Sequence, residues 1–120
     1  MNLRNYAYLG DAVWELYIRE HTVAMTGNAK LLHKLTTEHV KASYQADLLH
    51  KMEHLLTDEE QELARRGRNL PIPVARRSNQ TEYRAATAFE VLIGWWYKEK
   101  PERLQEFLNG ILKFGGEENI

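Results

Sequence analysis

Two acidic residues stand where acids are costly. From Tyr6 to Ile18 the chain reads YAYLGDAVWELYI, with Asp11 in the middle and Glu15 one helical turn later. From Ala85 to Tyr97 it reads AATAFEVLIGWWY, where only Thr87 and Glu90 are clearly polar. A segment apolar on nearly all faces is ordinarily a central, buried helix. An ionised carboxylate there is expensive unless a cation or strong donors compensate it. Two such segments suggest a shared site, and its ligands would be oxygens alone, since neither segment holds histidine or cysteine. Oxygen-only ligands suit hard cations, above all Mg²⁺, which keeps several waters and takes one or two carboxylates plus a substrate phosphate. The residue pattern leaves a plainer reading equally open, in which Asp11 and Glu90 are structural acids held by arginines or backbone amides. Glu15 reads as structural, or as a support for Asp11.

The second feature is a concentration of positive charge. The net charge of −1 conceals it: between Leu63 and Arg84 lie six arginines, no lysine and one acid, so that stretch is +5 and the other residues together are −6. Taken alone, Arg65, Arg66, Arg68, Arg76, Arg77 and Arg84 would be a solvated loop or a protein contact. The absence of lysine tilts the reading toward phosphate, because guanidinium grips phosphate oxygens in bidentate fashion. With a Mg²⁺ site, an arginine-rich loop points to phosphodiester chemistry on a nucleic acid.

The elements that must position these residues are all helical. Apolar residues recur at helical spacing, and no run has the alternation of a half-buried strand. The pattern predicts a first helix from Leu3 to about His21, a loop at Thr26-Gly27-Asn28 and a second helix opening at Ala29. A third runs from Thr37 to about Leu55 with Val40, Tyr44, Leu48 and Met52 along one stripe. Thr57-Asp58-Glu59-Glu60 is a capping box that opens a fourth helix, ending near Arg66-Gly67. Pro71 and Pro73 make residues 68–80 the one long loop. A fifth helix follows from about Thr81 to Glu99, and Pro101 opens a last one that Gly115-Gly116 closes. Trp95, Trp96 and Tyr97 read as core or dimer-interface residues.

The 120 residues amount to one domain, residues 1–120, with an apolar fraction sufficient for a real core. With no cysteine, disulfide frameworks and thiolate metal sites are excluded. No leader is expected, since Met1-Asn2-Leu3-Arg4 lacks a basic stretch followed by an apolar run. Every long apolar stretch contains a charge, so no membrane span is expected. A cytoplasmic protein is the expectation.

The motifs carry a resemblance. YLGDAVWEL, Tyr8 to Leu16, resembles the ribonuclease III signature, F-L-G-D-[AS]-V/I-L-E, and TAFEVLIGWWY, Thr87 to Tyr97, is similar to that family's second acidic motif, D-x-F-E-A-L-I-G-A-x-Y. ARRGRN, Ala64 to Asn69, followed by TEYRAATAFE, Thr81 to Glu90, resembles the Mini-ribonuclease III branch, which has the catalytic domain without a double-stranded-RNA-binding domain. The resemblance implies an all-α, homodimeric ribonuclease III-type endonuclease of six to seven helices. It implies a Mg²⁺-dependent endoribonuclease, Mn²⁺ substituting, that cuts double-stranded RNA to leave 5′-phosphate ends. Its implied natural substrate is a precursor of large-subunit (23S) ribosomal RNA. Asp11 and Glu90 match the metal-binding acids, whereas Ala7 and Thr87 stand where most family members carry two further carboxylates. The Mini branch has this reduced set. Arg65, Arg66, Arg68, Asn69, Arg76, Arg77 and Arg84 would contact the RNA backbone, since duplex RNA is read largely by shape.

Three other readings compete. His50-Lys51-Met52-Glu53-His54 matches the H-x-x-E-H zinc pattern, but a third ligand and a larger scaffold are wanting. A ribonuclease-III-like RNA-binding scaffold has no need of two costly acids. A plain helical dimerisation module would explain the aromatic run but neither acid.

Overall fold

The computed structural model of the chain describes residues 1–111, and the expected helix stop at Gly115-Gly116 lies outside the described residues. Six α-helices carry the fold: α1 (Leu3–Thr22), α2 (Ala29–Val40), α3 (Ala42–Met52), α4 (Asp58–Arg68), α5 (Gln80–Glu99) and α6 (Pro101–Glu106). No strand occurs among the described residues.

Local chemistry opens several of these helices. Asn2 caps α1 by accepting from the Asn5 amide at 2.9 Å, and Asn28 caps α2 by accepting from Leu31 at 2.9 Å. The Thr57 capping box forms as expected: Thr57 Oγ1 accepts from the Glu60 amide at 3.2 Å while Glu60 Oε1 accepts from the Thr57 amide at 2.9 Å. Pro101 stands in the first turn of α6, where its missing N–H costs nothing.

Three boundaries differ from the sequence pattern. No helix begins at Thr37; α2 runs on to Val40, and a single extended residue, Lys41, separates it from α3. The carbonyl freed there is satisfied by a side chain, since Gln45 Nε2 donates to Val40 O at 3.1 Å. Gly67 does not stop α4. It faces α5, where a Cβ would meet Ala88 Cα at 2.9 Å, so the glycine sets how closely the two helices approach. The proline-rich loop holds a short 3₁₀ helix, Val74–Asn79, with Pro73 just before it; proline's fixed φ suits that entry position.

Helix α5 is central, packed against α1, α3, α4 and α6, as its nearly unbroken apolar run implies. Phe89, Val91, Leu92, Ile93 and Trp96 are fully buried on it. Trp14 from α1 meets Phe89 edge to face at 5.1 Å, an arrangement that aromatic quadrupoles favour. At the far end Trp96 stacks on Phe107 at 4.4 Å, while Trp95 is partly buried and Tyr97 is 52% exposed. There the buried Glu60 accepts from Trp96 Nε1 at 2.9 Å and from Arg103 at 2.8 and 2.9 Å. Burial alone would raise the Glu60 pKa, but Arg103, the Thr57 amide and Trp96 together hold it below the usual carboxylate value. That end of the bundle is locked by a satisfied charge.

Candidate active site

The acids meet because two glycines do. A Cβ on Gly10 would collide with the carbonyl oxygen of Glu90 and sit 2.8 Å from the Gly94 nitrogen. Reciprocally, a Cβ on Gly94 would collide with the carbonyl oxygen of Tyr6 and sit 2.9 Å from the Gly10 nitrogen. Helices α1 and α5 therefore cross backbone against backbone, which only paired glycines permit. Asp11 follows Gly10 directly and Glu90 lies one turn before Gly94, so the crossing carries both carboxyls to one place.

Their environments differ from the sequence expectation. Both were expected to be buried, yet Asp11 is exposed and Glu90 partly buried. The outer face of α1 is open: Tyr8 is 85% and Leu16 59% exposed, and Asp11, Glu15 and Arg19 line a shallow depression there. Glu90 faces inward from α5. Burial is the largest cause pushing its carboxyl up, the Asp11 charge is next, and a hydrogen bond shared with Asp11 adds to both. The Gln45 amide alone pulls the other way, and the outcome is a pKa of about 8. At neutral pH, with nothing else bound, the Glu90 carboxyl keeps its proton.

The structural reading of these acids required arginine or backbone partners. Among the described residues, no arginine or lysine pairs with Asp11 or Glu90. A positive charge is what the pair lacks, and two oxygen donors from separate helices fit one hard divalent cation. No group of three His, Cys, Asp or Glu side chains suited to a metal occurs among the described residues. The same fact removes support for zinc at His50 and His54; His50 approaches Glu53 at 3.8 Å, and Glu53 is held by Arg68 at 2.7 Å.

Neighbouring positions add no further acid to the pair. Ala7 offers no ligand one turn before Asp11. Thr87, one turn before Glu90, returns its hydroxyl to its own helix, donating to Tyr83 O at 2.9 Å. Glu15 pairs with Arg19 at 2.8 Å along α1. Gln45 is the residue at this site that carried no expectation. It is 1% exposed, occupies the core stripe Gln45-Leu48-Leu49-Met52 of α3, and its Oε1 is enclosed with no partner. A glutamine at an apolar stripe position was the readable signal.

The arginines hold unlike positions. Arg84 donates to the carbonyls of Arg68 at 2.8 Å and Leu70 at 3.3 Å, tying the loop to α5. Arg65 pairs with Glu62 at 2.7 Å, Arg68 with Glu53, and Arg76 lies over the Tyr83 ring at 5.6 Å. Asn69 caps α4 through its own amide, which donates to Arg66 O at 3.2 Å. The Arg66 and Arg77 side chains are exposed and make no hydrogen bond or salt bridge among the described residues. Of these six arginines they are the two most available to a ligand.

Comparison with known proteins concerns the chain as a whole. Residues 4–101 match the family model of the ribonuclease III domain. The chain is 40% identical to the Mini-ribonuclease 3 of Enterococcus faecalis, covering 94% of this chain and 89% of that one. It is 41% identical to the Mini-ribonuclease 3 of Gloeobacter violaceus, over 91% of this chain and 81% of its relative. A crystal structure of a protein from Fusobacterium nucleatum superposes with a TM-score of 0.82 at 33% identity, covering 93% of both chains.

Proposed function

The chain belongs to the ribonuclease III family, and from that premise we propose that Asp11 and Glu90 form a Mg²⁺ site, with Mn²⁺ able to substitute, at which one strand of an RNA duplex is cut. The protein is an endoribonuclease acting on double-stranded RNA and leaving 5′-phosphate ends. The observation that carries the site is the Gly10–Gly94 crossing, which sets two carboxyls face to face without a neighbouring cation.

A divalent cation at that place supplies charge neutralisation at the scissile phosphate and acidifies the attacking water. Glu90, ionised once its proton leaves, and Asp11 would bind and orient it. Among the described residues no histidine or lysine pairs with them, and none is needed as base. Arg66 and Arg77 engage the RNA backbone directly. Arg65, Arg68 and Arg76 contribute by exchanging their present partners for phosphate, and Arg84 with Asn69 holds the loop that presents the others. Affinity is then modest and falls steeply with salt.

The finer assignments follow the same reading. The substrate is a structured precursor of large-subunit ribosomal RNA, in the cytoplasm; no helix among the described residues is long and apolar enough to cross a membrane. The protein acts as a homodimer, which the exposed Tyr8 and Leu16 beside the site favour, since a partner would cover them. The whole chain, residues 1–120, serves as one catalytic domain.

The test is cleavage of a labelled duplex of about two helical turns or more, with Mg²⁺ and with chelator, for wild type, Asp11→Asn and Glu90→Gln. Metal-dependent cutting lost in both variants, with duplex binding retained, is expected. Binding without cutting in all three proteins would make the acids structural and the chain an RNA-binding relative.

A further inference from the structure

Gln45 is a costly residue for its position. Its side chain is enclosed among the apolar side chains of α3 and α5, and one enclosed acceptor without a donor costs about 1–3 kcal/mol. A methionine would fill the same volume and carry no such cost. What the glutamine supplies is its donor end. One amide proton goes to Val40 O at 3.1 Å, anchoring the break between α2 and α3, and the same amide lies against the Glu90 carboxyl. The group is thus set by its two acceptors, while its own acceptor is left over. Among the described residues, the Glu90 carboxyl lies between Asp11, from α1, and Gln45, from α3.

We propose that Gln45 is a positioning residue that holds the Glu90 carboxylate in the orientation in which it and Asp11 face one divalent cation. The inference rests on the reading of Asp11 and Glu90 as cation ligands. Gln45 touches neither cation nor RNA; it acts through Glu90, as supporting hydrogen bonds to ligating carboxylates do elsewhere, where their loss weakens metal binding by roughly 10–100-fold.

The experiment measures Mn²⁺ binding to the intact protein by titration calorimetry at one pH, beside thermal unfolding in chelator, for wild type, Gln45→Met, Asp11→Asn and Glu90→Gln. Mn²⁺ affinity should fall roughly 10–100-fold in Gln45→Met, with unfolding temperature in chelator equal to or above wild type. A purely structural role predicts the opposite pair, lower stability with unchanged Mn²⁺ binding, and that result overturns the proposal. If Asp11→Asn and Glu90→Gln lose binding while Gln45→Met keeps it within about twofold of wild type, well short of the expected loss, the positioning role alone fails. If all three variants bind as wild type does, or wild type does not bind, the ligand reading has failed and the proposal with it. Should Gln45→Met not fold, wild type still decides: the Gln45 side-chain amide resonances must move as Mg²⁺ is added to saturation, and their standing still overturns the proposal.

Discussion

Replacing Glu90 with glutamine should stabilise the protein when no metal is present, and by an amount that depends on pH. The Glu90 carboxyl has a pKa of about 8 in the folded chain, against an ordinary value of 4.5. Between those values the native state keeps a proton that the unfolded chain has released. Stability linked to Glu90 is therefore fully present below about pH 4.5 and declines as pH rises, levelling off above about pH 8. At pH 7 the difference amounts to roughly 2.5 pKa units, or about 3 kcal/mol; water reaching the partly exposed carboxyl reduces this to an order of 1–3 kcal/mol. Glutamine cannot ionise, so Glu90→Gln escapes the decline. The assay is thermal unfolding in chelator from pH 5 to pH 8.5, with both proteins measured at each pH. Histidines titrate in this window too, but they are common to both proteins and cancel in the difference. The two should lie close near pH 5 and separate by about 4–12 °C at pH 7, using roughly 4 °C per kcal/mol for a domain of this size. Added Mg²⁺ should close the gap by stabilising wild type alone. Parallel curves across the whole range would refute the reading that the Glu90 carboxyl keeps its proton in the folded chain.

Gly10→Ala and Gly94→Ala should each force α1 and α5 apart, costing about 1–3 kcal/mol despite alanine's better helix propensity, and duplex cleavage should fall further than unfolding temperature alone explains. Glu60→Ala should lower stability by about 3–5 kcal/mol, because it strands a part-buried guanidinium and an indole N–H; denaturant melts check this. Wild type should also lose stability at acid pH as Glu60, whose pKa lies below the usual value, takes up its proton, a loss that Glu60→Gln should not share. Arg77→Ala should weaken duplex binding evenly across sequences and reduce the salt slope by about 1, whereas Arg84→Ala should chiefly lower stability; binding titrations at several salt concentrations separate them.

How much was legible depended on how local each signal is. The Thr57–Glu60 capping box, the Asn28 turn and Pro101 act within four residues of themselves, and the structure places helix starts where they indicate. The burial of α5 was legible because an almost wholly apolar helix has nowhere else to go. For α1 the same argument put Asp11 inside, and Asp11 is exposed. Its composition tells how many apolar residues it holds, while the fold decides which face stays open, and here Tyr8, Asp11 and Leu16 share the open one. The break at Lys41 was misplaced for a related reason: no residue near it is a helix breaker, and what satisfies the freed Val40 carbonyl is a side chain one turn further on. Gln45 itself was missed because the row Val40-Tyr44-Leu48-Met52 explains α3 equally well on paper. Only packing selects the row that begins at Gln45. The arginines were legible as a charge but not as individuals, since Arg84 and Arg77 are identical in type and differ solely in what the fold places within reach.

The costs in this molecule fall together. Gly10 and Gly94 each give up about 1 kcal/mol of helix propensity, Glu90 resists ionisation, and Gln45 leaves an acceptor without a donor, all around one crossing of α1 and α5. At the other end of α5 every comparable group is satisfied: Glu60 has Arg103, Trp96 and the Thr57 amide, and Arg103 lies over Phe107 at 4.4 Å. A fold under selection for stability alone would have no reason to gather these costs around one helix crossing. Stable proteins carry local violations where function demands them. The Glu90 cost is of a kind that a dication would relieve, by taking the place of its proton and drawing the carboxyl into its ionised form, and the glycines and Gln45 set the place where it would do so. The three features are therefore expected to respond together: a substitution at any of Gly94, Glu90 or Gln45 should reduce the extra stability that metal gives wild type, and substitutions around Glu60 should leave that increment unchanged.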